Sequence, residues 1–222
     1  MKTILFQGDS ITDCGRVREE SPDIFKRFYY ALAKRKPLGG GYPALVAAEL
    51  GEGYSFVNRG VSGDRILDVY ARIVRDVIKV KPDCMSLLIG VNDIWHGIDF
   101  NNGTGMKRFE KVYDIFFQEL SEELPDTKII IMGAFVLEGS ATANRHGQPD
   151  RYKKFRNGVE EAAAITRALA EKYGHRFIDL QRVFDEAEKT IPASELLSDG
   201  VHPTRKGHEL IKSEWIKAFK EL

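Results

Sequence analysis

Five short apolar runs, separated by longer stretches of helical periodicity, constrain the fold of this chain more than any other feature. Each run is rich in isoleucine, valine, leucine or phenylalanine, and its apolar character is continuous rather than alternating. Runs of this kind are typical of parallel strands that are covered on both faces. The five predicted strands are residues 3–6, 55–57, 84–89, 128–132 and 176–178.

Between these runs, apolar residues recur every three or four positions, which predicts helices that lie against a sheet. The last helix is expected to begin after Pro203, with Thr204 as its N-cap. The alternation of strands and helices predicts a three-layer α/β/α sandwich around a central five-stranded parallel sheet, with right-handed crossovers. The helical stripes are Ile66, Tyr70, Ile73 and Val77; Tyr113, Phe117 and Leu120; Val159, Ala162, Ile165 and Leu169; and Ile211, Trp215, Ala218 and Leu222.

The composition predicts one globular domain spanning residues 1–222. Lysine and arginine number 33 and balance 33 aspartates and glutamates, which argues against nucleic acid or an anionic membrane as the main partner. No apolar run approaches the roughly 20 residues of a membrane helix. The first residues do not form a signal-peptide core, so a cytoplasmic location is expected. Cys14 and Cys84 are expected to be free thiols.

Two stretches, residues 19–41 and 137–151, interrupt the alternation of strands and helices. Each follows a predicted strand or its first loop, on the side where ligands bind to an open parallel sheet. We therefore expect both to lie beside a functional site. A disordered loop or a subunit contact accounts for either stretch equally well, so self-association into a homo-oligomer remains open.

The first candidate for chemistry is Ser10, which follows Gly8 and Asp9 directly after the first predicted strand. The chain must turn sharply there, and a serine at that turn projects from the carboxyl edge of the sheet. Ser10 is therefore a candidate nucleophile. Taken alone, the same tripeptide also fits an ordinary helix N-cap.

The second candidate is the pair Asp199 and His202, just before the last predicted helix. His202 precedes Pro203, which biases its backbone toward an extended conformation, so the pair is expected to share one tight loop. An aspartate in that loop can accept a hydrogen bond from Nδ1 of the imidazole and leave Nε2 to take a serine proton. A surface histidine beside a capping aspartate is the alternative.

Two further clusters, residues 58–64 and 90–93, follow the second and third predicted strands. A glycine N–H and an asparagine amide at this edge can stabilise the oxyanion of acyl transfer, each by about 3 kcal/mol. Strand-terminating turns account for each cluster separately. Four clusters with complementary chemistry at one sheet edge favour a single serine-hydrolase site.

Together, these clusters closely resemble the four sequence blocks of the SGNH (GDSL-like) hydrolases. The matching strings are GDS at 8–10, the glycine of SGD at 62–64, GVND at 90–93 and DGVH at 199–202. The resemblance spans nearly the whole chain, in the family's order. The family often has leucine after its opening motif, where this chain has isoleucine.

The resemblance implies a flavodoxin-like α/β/α fold and an ester hydrolase that needs no cofactor and no metal. Carried over residue by residue, it implies Ser10 as nucleophile, His202 as general base and then acid, and Asp199 as the carboxylate that orients it. The oxyanion donors would be the Ser10 N–H, the Gly63 N–H and the Asn92 side chain. No group of histidines, cysteines and acids has metal-ligand spacing, which disfavours a metal-dependent deacetylase.

The longer strings at 6–16 and 89–95 are similar to bacterial acetylxylan esterases and related carbohydrate esterases. This similarity implies a small-molecule ester as substrate, with acetylated xylo-oligosaccharides or related sugars as the expected class. Trp95 lies just beyond the asparagine, where its ring can stack on a sugar or belong to the core. Asp13 and Arg16 can pair beneath the site or contact substrate hydroxyls. Asp9 completes the candidate substrate-binding residues.

Two alternatives remain at this stage. A lipase, lysophospholipase or thioesterase of the same family would need an extended apolar groove, which residues 19–41 could supply through Phe25, Phe28, Tyr29 and Tyr30. A non-catalytic carbohydrate-binding module could retain the fold without the activity, because fold alone does not imply function.

Overall fold

The computed structural model describes residues 1–18, 28 and 36–222. At its centre is a five-stranded sheet in the order β2-β1-β3-β4-β5, and every strand pair is parallel. All five predicted strands are present, and the α/β sandwich is confirmed. The strands are β1 (Lys2–Gly8), β2 (Tyr54–Asn58), β3 (Cys84–Leu88), β4 (Lys128–Met132) and β5 (Arg176–Ile178).

Helices cover both faces of the sheet because successive strand residues point to opposite sides. Leu5 of β1 packs in a core with the helices of one face, whereas its neighbours Ile4 and Phe6 pack with the other. On the first face are α3 (Ile66–Tyr70), α4 (Val91–Phe100), α5 (Met106–Glu123) and α6 (Arg151–Tyr173). On the second face are α2 (Tyr42–Leu50), α7 (Leu180–Glu188), α8 (Ala193–Leu196) and α9 (Arg205–Lys220).

A short helix, α1 (Ser10–Asp13), follows β1 at the carboxyl edge of the sheet. Because β1 lies between β2 and β3, the connections that follow β1 and β2 run to opposite sides of it. In an open parallel sheet this change of direction creates a crevice at the carboxyl ends of the strands. The crevice is where the sequence analysis expects Ser10 and Asn92.

The predicted helices need two corrections. The stripe from Ile66 to Val77 is not one helix, because α3 ends at Tyr70 and a π-helical turn spans Val74–Ile78. Arg72 lies at the break and pairs with both Asp64 and Asp76, which draws the widened turn toward the preceding loop.

The second correction concerns Leu222, which does not extend the apolar face of the last helix. The helix α9 ends at Lys220, and Leu222 is 44% exposed. Residues beyond the last turn of a terminal helix have few neighbours to pack against. The predicted N-cap is confirmed, because the Thr204 side chain accepts a hydrogen bond from the Gly207 N–H.

The two interrupting stretches differ in what can be described. Residues 137–151 are described throughout and connect β4 to α6. Of residues 19–41, most lie outside the described residues, including Phe25, Tyr29 and Tyr30 of the expected apolar groove. Both cysteines are free thiols. No helix in the described ranges is long and apolar enough to cross a membrane.

Candidate active site

A continuous chain of hydrogen bonds joins Ser10, His202 and Asp199 at the carboxyl edge of the sheet. Ser10 Oγ lies 2.9 Å from His202 Nε2, and His202 Nδ1 lies 2.7 Å from Asp199 Oδ2. With the proton on Nδ1, the imidazole donates to the carboxylate and its Nε2 accepts from the serine hydroxyl. The structure thus brings together the three residues that the sequence analysis selected, although 192 positions separate the serine from the histidine.

The end of β1 determines where Ser10 points. Asp9 is the N-cap of α1, and its Oδ1 accepts a hydrogen bond from the Ile11 N–H at 3.0 Å. Ser10 is consequently the first residue of a helix, where the backbone N–H has no acceptor in the preceding turn. Asp9 itself is 1% exposed. This position corrects the expectation that Asp9 contacts substrate, because its carboxyl group faces the interior.

A tight loop holds Asp199 against the histidine. The N–H groups of Val201 and His202 both donate to Asp199 Oδ1, at 2.9 and 2.8 Å, while the imidazole occupies Oδ2. The Ser198 N–H closes the loop onto the His202 carbonyl at 2.8 Å. Asp199 and His202 therefore share one tight loop, as the sequence predicts.

The charges in this loop favour an ionised aspartate. Burial opposes ionisation of Asp199, but hydrogen bonds from the His202 ring and from two backbone N–H groups lower its pKa to about 2. The hydrogen bond that the His202 ring donates to Asp199 raises the pKa of His202 above its ordinary value, against the opposing effect of burial. An anionic Asp199 thus fixes the imidazole tautomer and makes it a stronger base.

Two of the three candidate oxyanion donors follow the strands that flank β1: Gly63 lies in the loop after β2, and Asn92 lies at the start of α4. Asn92 follows β3 and is 5% exposed, and its Nδ2 donates to the Asp64 carbonyl at 3.0 Å. An amide nitrogen carries two hydrogens, so a second donor is available on Asn92. Gly63 follows β2 in an exposed turn at φ +87°, a conformation that L side chains rarely adopt.

Asp13 and Arg16 brace the loop that carries Gly63. Asp13 is 4% exposed, and its Oδ2 accepts from the Ser62 N–H at 3.1 Å and from the Ser62 hydroxyl at 3.2 Å. Arg16 is 2% exposed and donates through Nε to the Gly60 carbonyl at 2.8 Å. Both side chains thus contact this loop, and the ion pair of Asp13 is with Arg18.

Trp95 lies beside the histidine, on the first turn of α4 after Asn92. Its ring centroid is 6.0 Å from that of His202 and 5.8 Å from that of Phe155. The indole is half-buried, and its Nε1 donates to Asp99 Oδ2 at 2.8 Å. A partly exposed aromatic ring is therefore adjacent to the imidazole of His202.

This geometry agrees with comparisons to known proteins. Residues 6–210 match the GDSL-like lipase/acylhydrolase family. The chain belongs to this family. It is 33% identical to the acetylxylan esterase of Geobacillus stearothermophilus, with 96% of this chain and 92% of that protein covered.

Solved structures of GDSL-like proteins are similar to this chain in both fold and sequence. Axe2, an acetylxylan esterase from Geobacillus stearothermophilus, is 30% identical with a TM-score of 0.78, over 98% of this chain and 93% of that chain. A protein described as a GDSL-like lipase from Parabacteroides merdae is 31% identical with a TM-score of 0.79, over 99% of this chain and 95% of that chain. Axe2 variants described as catalytic mutants replace a serine, an aspartate or a histidine with alanine.

The family membership confirms that this GDSL-like hydrolase is a carboxylic ester hydrolase. The resemblance to acetylxylan esterases is confirmed as well. The alternative of a non-catalytic carbohydrate-binding module therefore does not hold.

Three buried carboxyl groups lie beneath the site of this GDSL-like hydrolase. Burial raises the pKa of Asp9 and of Asp93 to about 7, and that of Asp64 to about 6. Asp93 accepts from the Ile66 N–H, whereas the Oδ2 atom of Asp9 is buried without a hydrogen-bond partner. Within the described ranges, no group of three or more histidines, cysteines and acids could hold a metal ion.

Sequence reasoning missed the residues that hold Trp95 and Asn92 in place. Asp99 lies four positions after Trp95 in α4, and residues at that spacing face each other on a helix, so the pair was recognisable. Arg151 pairs with Asp99 from the start of α6. No local signal announces that contact, because 52 positions separate the two residues. The contact from Asn92 to the Asp64 carbonyl could not be predicted from residue types, because every residue has a backbone carbonyl.

Proposed function

We propose that this chain is an acetyl esterase that deacetylates xylo-oligosaccharides or related sugars through an acyl-enzyme intermediate on Ser10. The observation that carries the proposal is the uninterrupted hydrogen-bond chain from Ser10 through His202 to Asp199. Further support comes from the similarity to an acetylxylan esterase over nearly the whole length of both chains.

In the first step, His202 Nε2 takes the hydroxyl proton as Ser10 Oγ attacks the acetyl carbonyl carbon. The new Oγ–carbon bond gives a tetrahedral intermediate. As that intermediate collapses, the bond from carbon to the sugar oxygen breaks, and the imidazolium gives its proton to the departing alcohol. Asp199 stays ionised and stabilises the imidazolium.

In the second step, a water molecule enters where the alcohol left. His202 takes one proton from this water as its oxygen attacks the acetyl carbon. The Oγ–carbon bond breaks, and the proton returns to Ser10. Acetic acid is released, and at neutral pH it loses its proton to water. All of the acid and base chemistry is assigned to one histidine, so no cofactor enters the scheme.

The negative oxygen of both intermediates needs donors on the side of Ser10 away from His202. We assign this role to the Ser10 N–H, the Gly63 N–H and the second amide hydrogen of Asn92. Support comes from the position of Ser10 at a helix start and from the buried, fixed amide of Asn92. Each donor in such a site is worth about 3 kcal/mol of transition-state stabilisation.

The test is hydrolysis of p-nitrophenyl esters from acetate to palmitate, beside acetate release from peracetylated xylose. Wild type is compared with Ser10→Ala and with Ser121→Ala, a matched control whose hydroxyl bonds to the Phe117 carbonyl within α5. We expect preference for acetate, sugar deacetylation, an inactive Ser10 variant and an active Ser121 variant. A medium-chain or long-chain optimum without sugar activity would reassign the enzyme as a lipase or thioesterase.

A further inference from the structure

The indole of Trp95 is held in its position beside the histidine by a network that extends away from the site. Its Nε1 donates to Asp99 Oδ2 at 2.8 Å. Asp99 in turn accepts from Arg151 Nη2 at 2.9 Å and from Arg145 Nη2 at 3.0 Å, with a further contact from Arg151 Nη1. The hydrogen bond from Arg151 lowers the pKa of Asp99 to about 2, so this carboxylate remains ionised.

The arginine at the centre of this network is buried. The side chain of Arg151 is 1% exposed, and its guanidinium lies 5.0 Å from the ring centroid of Phe155, which packs edge-on against Trp95. Burying a guanidinium and a carboxylate is costly, and such a pair adds little net stability compared with apolar residues. A role in orienting Trp95 accounts for the pair better than a role in stability.

The same arginine also reaches the loop of the aspartate. Arg151 Nε donates to the Ala141 carbonyl at 2.8 Å, and the Ala141 N–H donates to the Asp199 carbonyl at 2.8 Å. The loop that carries Ala141 also lies close to the Asp199 loop at Gly139, where a Cβ would lie 2.4 Å from the Asp199 carbonyl carbon. Contacts therefore run from Asp199 through Ala141, Arg151 and Asp99 to Trp95, which faces His202.

The position of Trp95 identifies which part of a substrate it would contact. In the proposed mechanism, His202 gives its proton to the departing alcohol, so the alcohol portion of the ester must lie against the imidazole. The acyl portion lies toward the oxyanion donors on the other side of Ser10. An aromatic ring 6.0 Å from the imidazole centroid is therefore on the alcohol side.

We propose that Trp95 determines specificity for the alcohol portion of the ester, and that Asp99 and Arg151 are positioning residues that fix its indole beside His202. The inference rests on the proposed function. The ligand it implies is a ring with an apolar face, such as a pyranose, which stacks on the indole.

The first test compares two substrates with the same acyl group, methyl acetate and peracetylated xylose. Specificity is the ratio of kcat/KM for the sugar to kcat/KM for methyl acetate. We expect Trp95→Ala to lower this ratio about threefold to tenfold, the effect of losing one aromatic contact. Trp95→Phe, which keeps a ring but loses the hydrogen bond to Asp99, is expected to have a smaller effect in the same direction. Equal loss on both substrates would overturn the proposal.

The second test removes the ion pair without touching Trp95. The double variant Asp99→Asn/Arg151→Met eliminates both charges together, so that neither is left buried alone. Its matched control is Asp185→Asn/Arg156→Met, which removes another bidentate pair whose arginine lies in the same helix. Arg156 Nη1 and Nη2 donate to Asp185 Oδ1 and Oδ2 at 2.6 and 2.5 Å. We expect the first variant to lower the specificity ratio and the control to keep it.

Fluorescence distinguishes positioning from a general loss of structure. The chain has two tryptophans, so the emission of Trp95 is the difference between wild type and Trp95→Phe. In the Asp99→Asn/Arg151→Met variant, acrylamide should quench this emission more strongly, while thermal unfolding remains cooperative. Unchanged quenching together with an unchanged specificity ratio would overturn the positioning role of Asp99 and Arg151. If the double variant does not fold, the specificity ratios of the Trp95 variants test the role of Trp95 on their own. An active Ser10→Ala variant would instead refute the proposed function, leaving the quenching result interpretable.

Discussion

At the scale of single residues, His202 carries the pH dependence that the proposed mechanism requires. Its imidazole must be neutral to accept the serine proton, and the hydrogen bond that it donates to Asp199 raises its pKa. Activity should therefore be lost as the pH falls through a midpoint above the ordinary histidine value of 6.5. The acid limb of kcat/KM for p-nitrophenyl acetate measures this midpoint.

The matched change is Asp199→Asn, which removes the charge that raises the pKa of His202. We expect the midpoint of the acid limb to move to lower pH. We also expect kcat to fall by about 10⁴, as when the orienting carboxylate of a serine hydrolase is replaced by an amide. An unshifted midpoint in this variant would contradict the assignment of Asp199.

The backbone at Gly63 gives a second prediction at this scale. At φ +87° a side chain is strained, although a Cβ there would meet no atom within 4 Å. Gly63→Ala should cost about 1–2 kcal/mol of stability and should also lower kcat, since relief of the strain moves the proposed oxyanion N–H. Gly174→Ala is the control, with φ +68° and similarly open space at the end of α6. Equal kcat in the two variants would remove Gly63 from the oxyanion site.

At the scale of elements, hydrogen bonds to Asp13 connect α1 to the loop after β2. Its Oδ2 accepts two hydrogen bonds from Ser62 and one from Arg18 at 2.6 Å. Asp13→Asn would turn an amide hydrogen toward these donors, which should shift the Gly63 loop. We expect kcat for p-nitrophenyl acetate to fall about tenfold, a fraction of the loss of one oxyanion donor, with KM little changed.

The control for this prediction is Asp114→Asn, which removes another aspartate with a basic partner. Asp114 pairs with Lys172 at 2.6 Å on the far side of α6, and both side chains are more than one-third exposed. Surface pairs of this kind contribute little to stability. If both variants lowered kcat to the same extent, the contact from Asp13 to Ser62 would not be what positions the loop.

Elements also show how far the sequence could be read. The strands were predictable because buried parallel strands are continuously apolar. Three short motifs predicted that Ser10, Asn92 and His202 meet at one site, and the hydrogen bond from Ser10 to His202 agrees with that placement. The break after Tyr70 was not predictable, because the apolar period continues through it. Residues 137–151 end at Arg151, whose pairing with Asp99 was not predictable either, because side-chain pairing between distant segments leaves no local pattern.

At the scale of the whole molecule, the buried carboxyl groups link stability to pH. Asp9 ionises near 3.8 in an unfolded chain but near 7 in the folded protein, so between these values the folded state binds more protons. Its contribution to stability therefore decreases as the pH rises from about 4 to about 7. Asp93 behaves in the same way.

Asp9→Asn should remove the loss of stability that ionisation of the buried Asp9 carboxyl group causes. An asparagine retains the oxygen that caps α1, and it is neutral at every pH. The melting temperature should exceed that of wild type at pH 8, by about 2–4 °C for each kcal/mol regained, and the gain should shrink at pH 4.5. Asp126→Asn, at an exposed turn, is the control. A gain in Asp9→Asn that is equal at the two pH values would show that the carboxyl group is not the cause.

Ser10 and His202 come from distant parts of the sequence, since Ser10 follows the first strand and His202 precedes α9. The helix α9 packs against α2, which brings these two parts of the chain together. A ribosome therefore synthesises the proposed nucleophile 192 residues before the proposed base. Under the proposed mechanism, a partly translated chain that lacks His202 has a serine without its base and should not cleave esters. During refolding, the return of turnover should be among the last signals to appear, which makes catalysis a reporter of completed assembly.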